Sequence, residues 1–396
     1  NHKCHDLKYQ IQALKSEELS ANKKMAIDEI TNAVNFYDDS FQTDNEILNT
    51  ALMEKSMVCR RYHISFSAIV DGKKLGFMNP MDLYVMLGNA LDNAIEAVRK
   101  IKETFTADCE PLFVFNGTGS NAVALQLVTR PYNLILCAET AHIYVDECGA
   151  PARMTGCQIR PIVSSDGKLT PELVQPYLKN FGEQHHSQPG AIYISQCSEL
   201  GTVYTPEELK ALTALAHKHG MYVHMDGARL ANACVALNLS FKELTVDCGI
   251  DILSFGGTKN GLMLGESVVI FNPELKKEAF YVRKQSAQLA SKLRYLSCQF
   301  TAYLTDDLWK KNAMHANAMA QKLYDGLKVL PGVHFTQKME SNQLFLTMPR
   351  SVIDKLMKSY FFYFWNEAEN EIRFVTSFDT TEEDIQTLLQ AVKESF

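Results

Sequence analysis

The chain has 396 residues, of which 46 % are hydrophobic and 21 % charged, a balance that excludes a disordered chain. Lys and Arg total 39 against 46 Asp and Glu, and the formal net charge of −7 excludes nucleic-acid binding by broad phosphate neutralisation. No run reaches the roughly 18 apolar residues that a transmembrane helix needs.

The start, Asn1-His2-Lys3-Cys4-His5-Asp6, is too polar for a signal peptide. The cysteines form no CxxC pair and read as reduced thiols, so the expected setting is cytoplasmic, without a zinc site built on such pairs. Leu7, Ile11 and Leu14 mark a first helical face. A second helix is predicted from about Asn22 to Arg60, with a break near Asp38-Asp39-Ser40. Ile64 to Val70 alternates like a strand, and Asp71-Gly72 is its turn. Met81 to Lys102 is helical, with Leu83, Met86, Leu87, Leu91 and Ile95 on one side.

After about Thr104 the texture changes. Short apolar runs alternate with helices. Leu112–Phe115, Leu134–Leu136, Ala191–Ile194, Met221–His224 and Ile252–Phe255 read as buried strands, and Pro206 to His219 as a helix. This alternation predicts an α/β fold with a mostly parallel sheet covered by helices. The last ninety or so residues mix helix and strand, as in a smaller α+β lobe. The expected division is a helical segment at 1–103, a large domain at 104–290 and a small domain at 291–396.

Four features of the second part carry chemistry. Asn116-Gly117-Thr118-Gly119-Ser120-Asn121 follows a strand and opens a helix, where backbone N–H groups can meet an anion; a plain strand–helix turn is the alternative. His142 follows the next strand, where its ring could stack on a planar cofactor or serve structure alone. Asp226-Gly227-Ala228-Arg229 ends another strand; the carboxylate could pair with a protonated ring nitrogen and Arg229 with a substrate carboxylate. Lys259 lies in the glycine-rich run Ser254-Phe255-Gly256-Gly257-Thr258-Lys259-Asn260-Gly261, where it is either a desolvated amine suited to Schiff-base chemistry or a solvated loop charge. Enzymes of pyridoxal 5′-phosphate (PLP) combine such a lysine with an aspartate at the pyridinium nitrogen.

Residues from about 104 to 396 resemble the threonine aldolase and β-eliminating lyase family of fold-type I PLP enzymes. The segments that carry the resemblance are FNGTGSN at 115–121, AETAHIYVDECGAP at 138–151, MDGARLANACVALN at 225–238, SFGGTKNG at 254–261 and IRFVTSFDTTEEDI at 372–385. The resemblance implies that Lys259 carries PLP, Asp226 holds the pyridine nitrogen protonated and His142 stacks on the ring. Gly117, Thr118 and Gly119 would cradle the phosphate, and Arg229 and Arg373 would bind the amino-acid carboxylate. It implies Cα–Cβ cleavage of a β-hydroxy amino acid, such as threonine to glycine and acetaldehyde, by a homo-oligomer without a metal. His142 or a water beside it is the candidate base at the β-hydroxyl.

The first hundred residues bear a different resemblance. HKCHDLKYQIQAL around His5 resembles the phosphoacceptor helix of a sensor histidine kinase, and Gly88 to Ala97 the N-box of the GHKL ATPase fold. That resemblance implies that His5 accepts phosphate and that Asn89 and Asn93 serve a nucleotide. No D-x-G-x-G box follows residue 97, so ATP binding is not expected. The expectation is a fusion of two truncated modules, its lyase weakened by a missing N-terminal arm. The alternatives are a signalling protein and a PLP-binding protein of little activity.

Overall fold

In the computed structural model of the protein, residues 41–66, 68 and 70–396 are described. The motif at His5 and the face of Leu7, Ile11 and Leu14 lie outside them. Contacts divide the chain between Ile95 and Glu96.

The first unit holds helix α1 (Glu46–Arg61). Asn45 caps it by accepting from the Leu48 N–H at 3.1 Å, so this helix starts after the break expected near Asp38-Asp39-Ser40. The strand expected over 64–70 does not form among the described residues. Ile64, Phe66 and Ala68 keep the alternation as half-buried positions, but no strand among the described residues offers them a ladder, and Gly72–Leu75 turns as a 3₁₀ helix. Helix α2 (Pro80–Thr104) begins with a proline, whose missing N–H costs nothing at that position. Leu83 and Ile95 are buried as expected, whereas Met86 is exposed.

The second unit is built on a seven-stranded sheet: β1 (Glu110–Val114), β2 (Asn133–Ala138), β3 (Gln158–Ile162), β4 (Gln188–Ser195), β5 (Tyr222–Gly227), β6 (Ile252–Gly256) and β7 (Glu266–Ile270). Their order is β1-β7-β6-β5-β4-β2-β3. The neighbours from β3 through β6 pair in parallel, as βαβ texture demands. Only β7 runs against the others, pairing antiparallel with both β1 and β6. The reason is connection length: the loop Gly257–Gly265 is too short for a crossover, so the chain must return as a hairpin. β3 and β7 gave no sequence signal of their own. Gln158, Ile159, Arg160 and Pro161 make a polar edge strand, and Glu266 and Ser267 dilute the start of β7.

Helix α3 (Gly117–Val128) is buried on nearly every side, which suits its run of small and apolar residues. Helix α4 (Pro206–Lys218) begins with a reciprocal capping box between Thr205 and Glu208 and buries Leu209, Leu212 and Ala216. A second sheet holds four antiparallel strands in the order β10-β11-β9-β8: β8 (His334–Phe335), β9 (Gln343–Thr347), β10 (Tyr363–Asn366) and β11 (Glu371–Val375). Its core includes Leu323, Leu346, Ile353, Ile372 and Ile385.

Phe105, just past α2, is 1 % exposed and meets the rings of Phe241, Phe255 and Phe271 at 5.7, 5.1 and 5.5 Å. Removing that ring leaves a cavity the cluster cannot fill. Phe105→Ala is expected to destabilise the second unit by about 3–5 kcal/mol, read as a shift of the urea midpoint at unchanged m-value.

Candidate active site

β4, β5 and β6 end side by side, with Ser195 opposite Asp226 and Asp226 opposite Ser254 in register. Ligands of open α/β sheets collect at such carboxyl ends. A cavity of about 290 Å³ opens there, lined by Gly117, Thr118, His142, Asp226, Lys259 and Glu266 among others. Size alone would point elsewhere. A hollow of about 500 Å³ near the starts of the strands is lined by Leu127, Arg130, Tyr132 and Gly220, with neither Lys259 nor Asp226 on its wall.

Asp226 is the buried centre of the site, 7 % exposed. Its Oδ1 accepts from the Ala228 N–H at 2.9 Å; its Oδ2 accepts from Asn121 Nδ2 at 2.8 Å and Tyr193 Oη at 2.7 Å. Burial pushes its carboxyl up, but Lys259 and these three donors outweigh burial and hold it below the ordinary range. It therefore stays ionised at neutral pH.

Lys259 sits on the hairpin loop between β6 and β7 and lines the same cavity as Asp226 at the end of β5. It is hemmed in by protein, yet its side chain opens onto the cleft. Among the described residues its Nζ makes no hydrogen bond or ion pair. Desolvation, then Arg229, push its ammonium below the usual lysine range, against the pull of Glu199, Asp226 and Glu266. Glu266 lines the same cavity. Burial lifts its carboxyl to about 7, while the Gly257 N–H donating to it at 2.8 Å pulls the other way.

The run Asn116–Asn121 leads from β1 into a helix, as its sequence suggested. Asn116 caps α3 by accepting from the Gly119 N–H at 2.7 Å. The amides of Gly117 and Thr118 have no acceptor among the described residues. A Cβ at Gly117 would enter open space, whereas one at Gly119 would strike the Gln288 carboxamide, which accepts from the Phe115 N–H at 3.0 Å. Only glycine fits at 119 without displacing Gln288.

His142 lies on the cavity wall, and its Nδ1 meets Glu147 Oε1 at 2.8 Å. That hydrogen bond raises its pKa, burial lowers it, and Glu199 and Asp226 add to the rise. Arg229 and Arg373 do not line this cavity. Arg373, on β11, is half-buried with its Nε unpartnered and its guanidinium 5.2 Å from the Trp365 ring. Burial first, then Arg229, push it below the usual arginine range. The two guanidiniums thus lie near enough to repel, with Glu199 as the neighbouring acid.

Sequence reasoning missed Asn121 as a network member, and it missed Glu147, Tyr193 and Glu266. Asn121 and Glu147 were inside motifs already singled out, and their spacing from Ser120 and His142 was a usable signal. Tyr193 reads as one more apolar strand residue, and nothing in its neighbourhood marks the hydroxyl.

The pieces fit the cofactor the motifs implied: unpaired helix-start amides for a phosphate, a free amine, and an ionised aspartate with acceptor capacity on the same wall. A mostly parallel sheet with this strand-end site defines a fold-type I enzyme of the PLP class. The chain belongs to the Beta-eliminating lyase family, which it matches over residues 81–349. It is 38 % identical over 298 residues to the low specificity L-threonine aldolase of a Pseudomonas strain, covering 75 % of this chain and 86 % of that one. The Saccharomyces cerevisiae enzyme of the same name is 25 % identical over 291 residues, 72 % of this chain and 73 % of that one. A solved Leishmania major threonine aldolase superposes with a TM-score of 0.72 at 29 % identity, over 80 % of this chain and 96 % of that one.

These likenesses support the lyase part of the resemblance and give the kinase-like part none. The family match takes in residues 81–103, where the kinase-like resemblance had been placed. Asn89 and Asn93 stand exposed on α2 and line none of the hollows described above. His5 lies outside the described residues. Among the described residues no cluster of His, Cys, Asp and Glu could hold a metal, and no helix is long and apolar enough to cross a membrane.

Behind Asp226, His224 is fully buried, its Nε2 3.0 Å from Ser254 Oγ and its Nδ1 without a partner. Burial pushes its pKa from 6.5 to about 4. The unfolded chain then binds a proton that the folded chain refuses, so stability falls as pH drops below about 6.5 and keeps falling to about 4, by on the order of 3 kcal/mol. His142 has the opposite sign, since its raised pKa stabilises below its unfolded value. Denaturation of His224→Asn alongside the parent cancels that contribution. The variant is expected to lose stability less steeply between about pH 7 and pH 5.

Proposed function

We propose that the protein is a PLP-dependent aldehyde-lyase that cleaves the Cα–Cβ bond of a β-hydroxy amino acid, taking threonine to glycine and acetaldehyde. The observation that carries this reading is the unpaired, partly desolvated Lys259 amine sharing one cavity with the ionised Asp226. The names of the relatives supply the substrate class.

Lys259 would hold the cofactor covalently, Asp226 would face its ring nitrogen, and His142 would lie against the ring. Gly117, Thr118 and Gly119 would take its phosphate at the start of α3. When bound, PLP supplies an electron sink for the pair left at Cα. The residues do the rest. Asp226, held ionised, keeps a positive charge at the ring nitrogen favourable. Arg229 and Arg373 orient the substrate carboxylate through charge-assisted hydrogen bonds, which also relieves the repulsion between them. His142 Nε2 takes the β-hydroxyl proton as the C–O bond becomes a carbonyl and the Cα–Cβ bond breaks. A proton delivered to Cα then completes glycine. We read 104–290 as the cofactor-binding domain and 291–396 as the small domain that supplies Arg373. The exposed Met263, Tyr281 and Tyr295, which follow the lysine in the chain, fit a homo-oligomer that light scattering would reveal.

Borohydride treatment and peptide mapping are expected to place a pyridoxyl group on Lys259, and Lys259→Ala to lose both the visible absorbance and threonine cleavage. A label on another lysine, or cleavage surviving in the variant, would overturn the reading. Arg373→Ala is expected to raise KM for threonine by about 10–100-fold, the equivalent of roughly 1.5–3 kcal/mol for a charged hydrogen bond, while PLP affinity stays near that of the parent. Steady-state kinetics and a cofactor titration separate the two effects.

A further inference from the structure

One buried acid beside the cleft has no part in the chemistry above. Glu147 follows the one-turn helix His142–Val145, and its side chain is fully shielded from solvent. Its Oε1 receives His142 Nδ1 at 2.8 Å and Asn121 Nδ2 at 2.7 Å, while its Oε2 is buried without a partner. A carboxylate so sparsely hydrogen-bonded is costly to bury unless a cation or a strong donor stands against it. Among the described residues, only His142 meets it as a group that can become positive.

The geometry also sets the proton's place. Glu147 Oε1 already accepts from Asn121 Nδ2, so it meets His142 as an acceptor and the hydrogen between them belongs to Nδ1. When the ring is neutral, its lone pair therefore lies on Nε2. Nε2 has no hydrogen-bond partner among the described residues, and His142 lies on the cavity wall. Asn121 closes the arrangement. Its Nδ2 also donates to Asp226 Oδ2 at 2.8 Å, and its Oδ1 accepts from Ser254 Oγ at 2.9 Å, which fixes the amide's orientation.

We infer that Glu147 is a positioning residue: by accepting from Nδ1 it fixes the ring and tautomer of His142 so that Nε2 is the proton acceptor, and Asn121 ties this setting to Asp226. The base role rests on the functional reading above; the pairing of Glu147 with His142 does not. The charged groups that face His142 are Glu147, Glu199 and Asp226, all acids, and together they favour its cationic form against burial. A proton taken from a β-hydroxyl is thus held by the ring rather than returned at once to the departing oxygen.

The test uses the full chain with selectively labelled histidine, without added cofactor, and His142→Asn to assign the signal. Long-range nitrogen–proton spectra of the parent are expected to show neutral His142 protonated at Nδ1. In Glu147→Gln, which keeps the shape but removes the charge, the His142 titration midpoint is expected to fall. With PLP added, kcat for threonine should drop on the order of 100-fold, the low end for a positioned acid–base group, with KM little changed. A neutral His142 protonated at Nε2 in the parent overturns the inference, whether or not the variant folds. So does an unmoved midpoint in a folded variant. A parent with the stated tautomer but no threonine cleavage would overturn the functional reading and the base role with it, while supporting the pairing itself.

Discussion

The site is organised around one unfavourable act, the burial of the Asp226 carboxylate at the end of β5. A carboxylate in that position needs donors on both oxygens. The turn supplies the Ala228 N–H, β4 supplies the Tyr193 hydroxyl, and α3 supplies the Asn121 amide. Each demand fixes an element. Asn121 must sit on the inner face of α3, one turn beyond the helix start, so the unpaired amides of Gly117 and Thr118 are held above the same strand ends. Asn121 in turn needs Ser254, and Ser254 reaches Ser120 and His224. A polar seam thus runs beneath a helix whose other faces are apolar, and it registers α3 against β5 and β6 more finely than apolar packing would.

Much of this was legible in the sequence because the chemistry sits at strand ends, where apolar runs stop and small or charged residues begin. The runs at Leu112, Leu134, Ala191, Met221 and Ile252 became β1, β2, β4, β5 and β6, and the motifs after them became the cavity wall. What stayed hidden falls into two kinds. Partners such as Tyr193 are placed by the pairing of β4 with β5, a long-range fact that local pattern cannot carry. Strands such as β3 and β7 lack a period of their own and exist because neighbours offer a ladder. The segment over 64–70 is the converse case, with alternation at Ile64, Phe66 and Ala68 but no strand to pair it among the described residues.

The electrostatics of the cleft follow from the same layout. Acids outnumber bases on its walls and flanks, with Glu147, Glu199, Asp226 and Glu266 set against Lys259, Arg229 and Arg373. Arg229 and Arg373 stand off the cavity wall, Arg373 on a strand of the second sheet, while Asp226, Glu266 and Lys259 line it. A ligand carrying a ring cation at one end and a carboxylate at the other complements this separation. One with the charges reversed meets like charge at both ends.

The lone reversed strand also has a consequence for how the sheet is assembled. β1 is made first of the seven strands, yet its sole sheet neighbour is β7, the last to leave the ribosome. The pairing of Leu112 with Val268 closes a loop of about half the unit's length, and such closures come late because their chain entropy is lost before any contact rewards it. Until then Leu112 and Val114, which end with no solvent exposure, have no sheet partner to cover them. The first strand synthesised therefore waits as an open apolar edge through the making of the other six, and that interval is when a nascent chain of this protein is most exposed to wrong pairing.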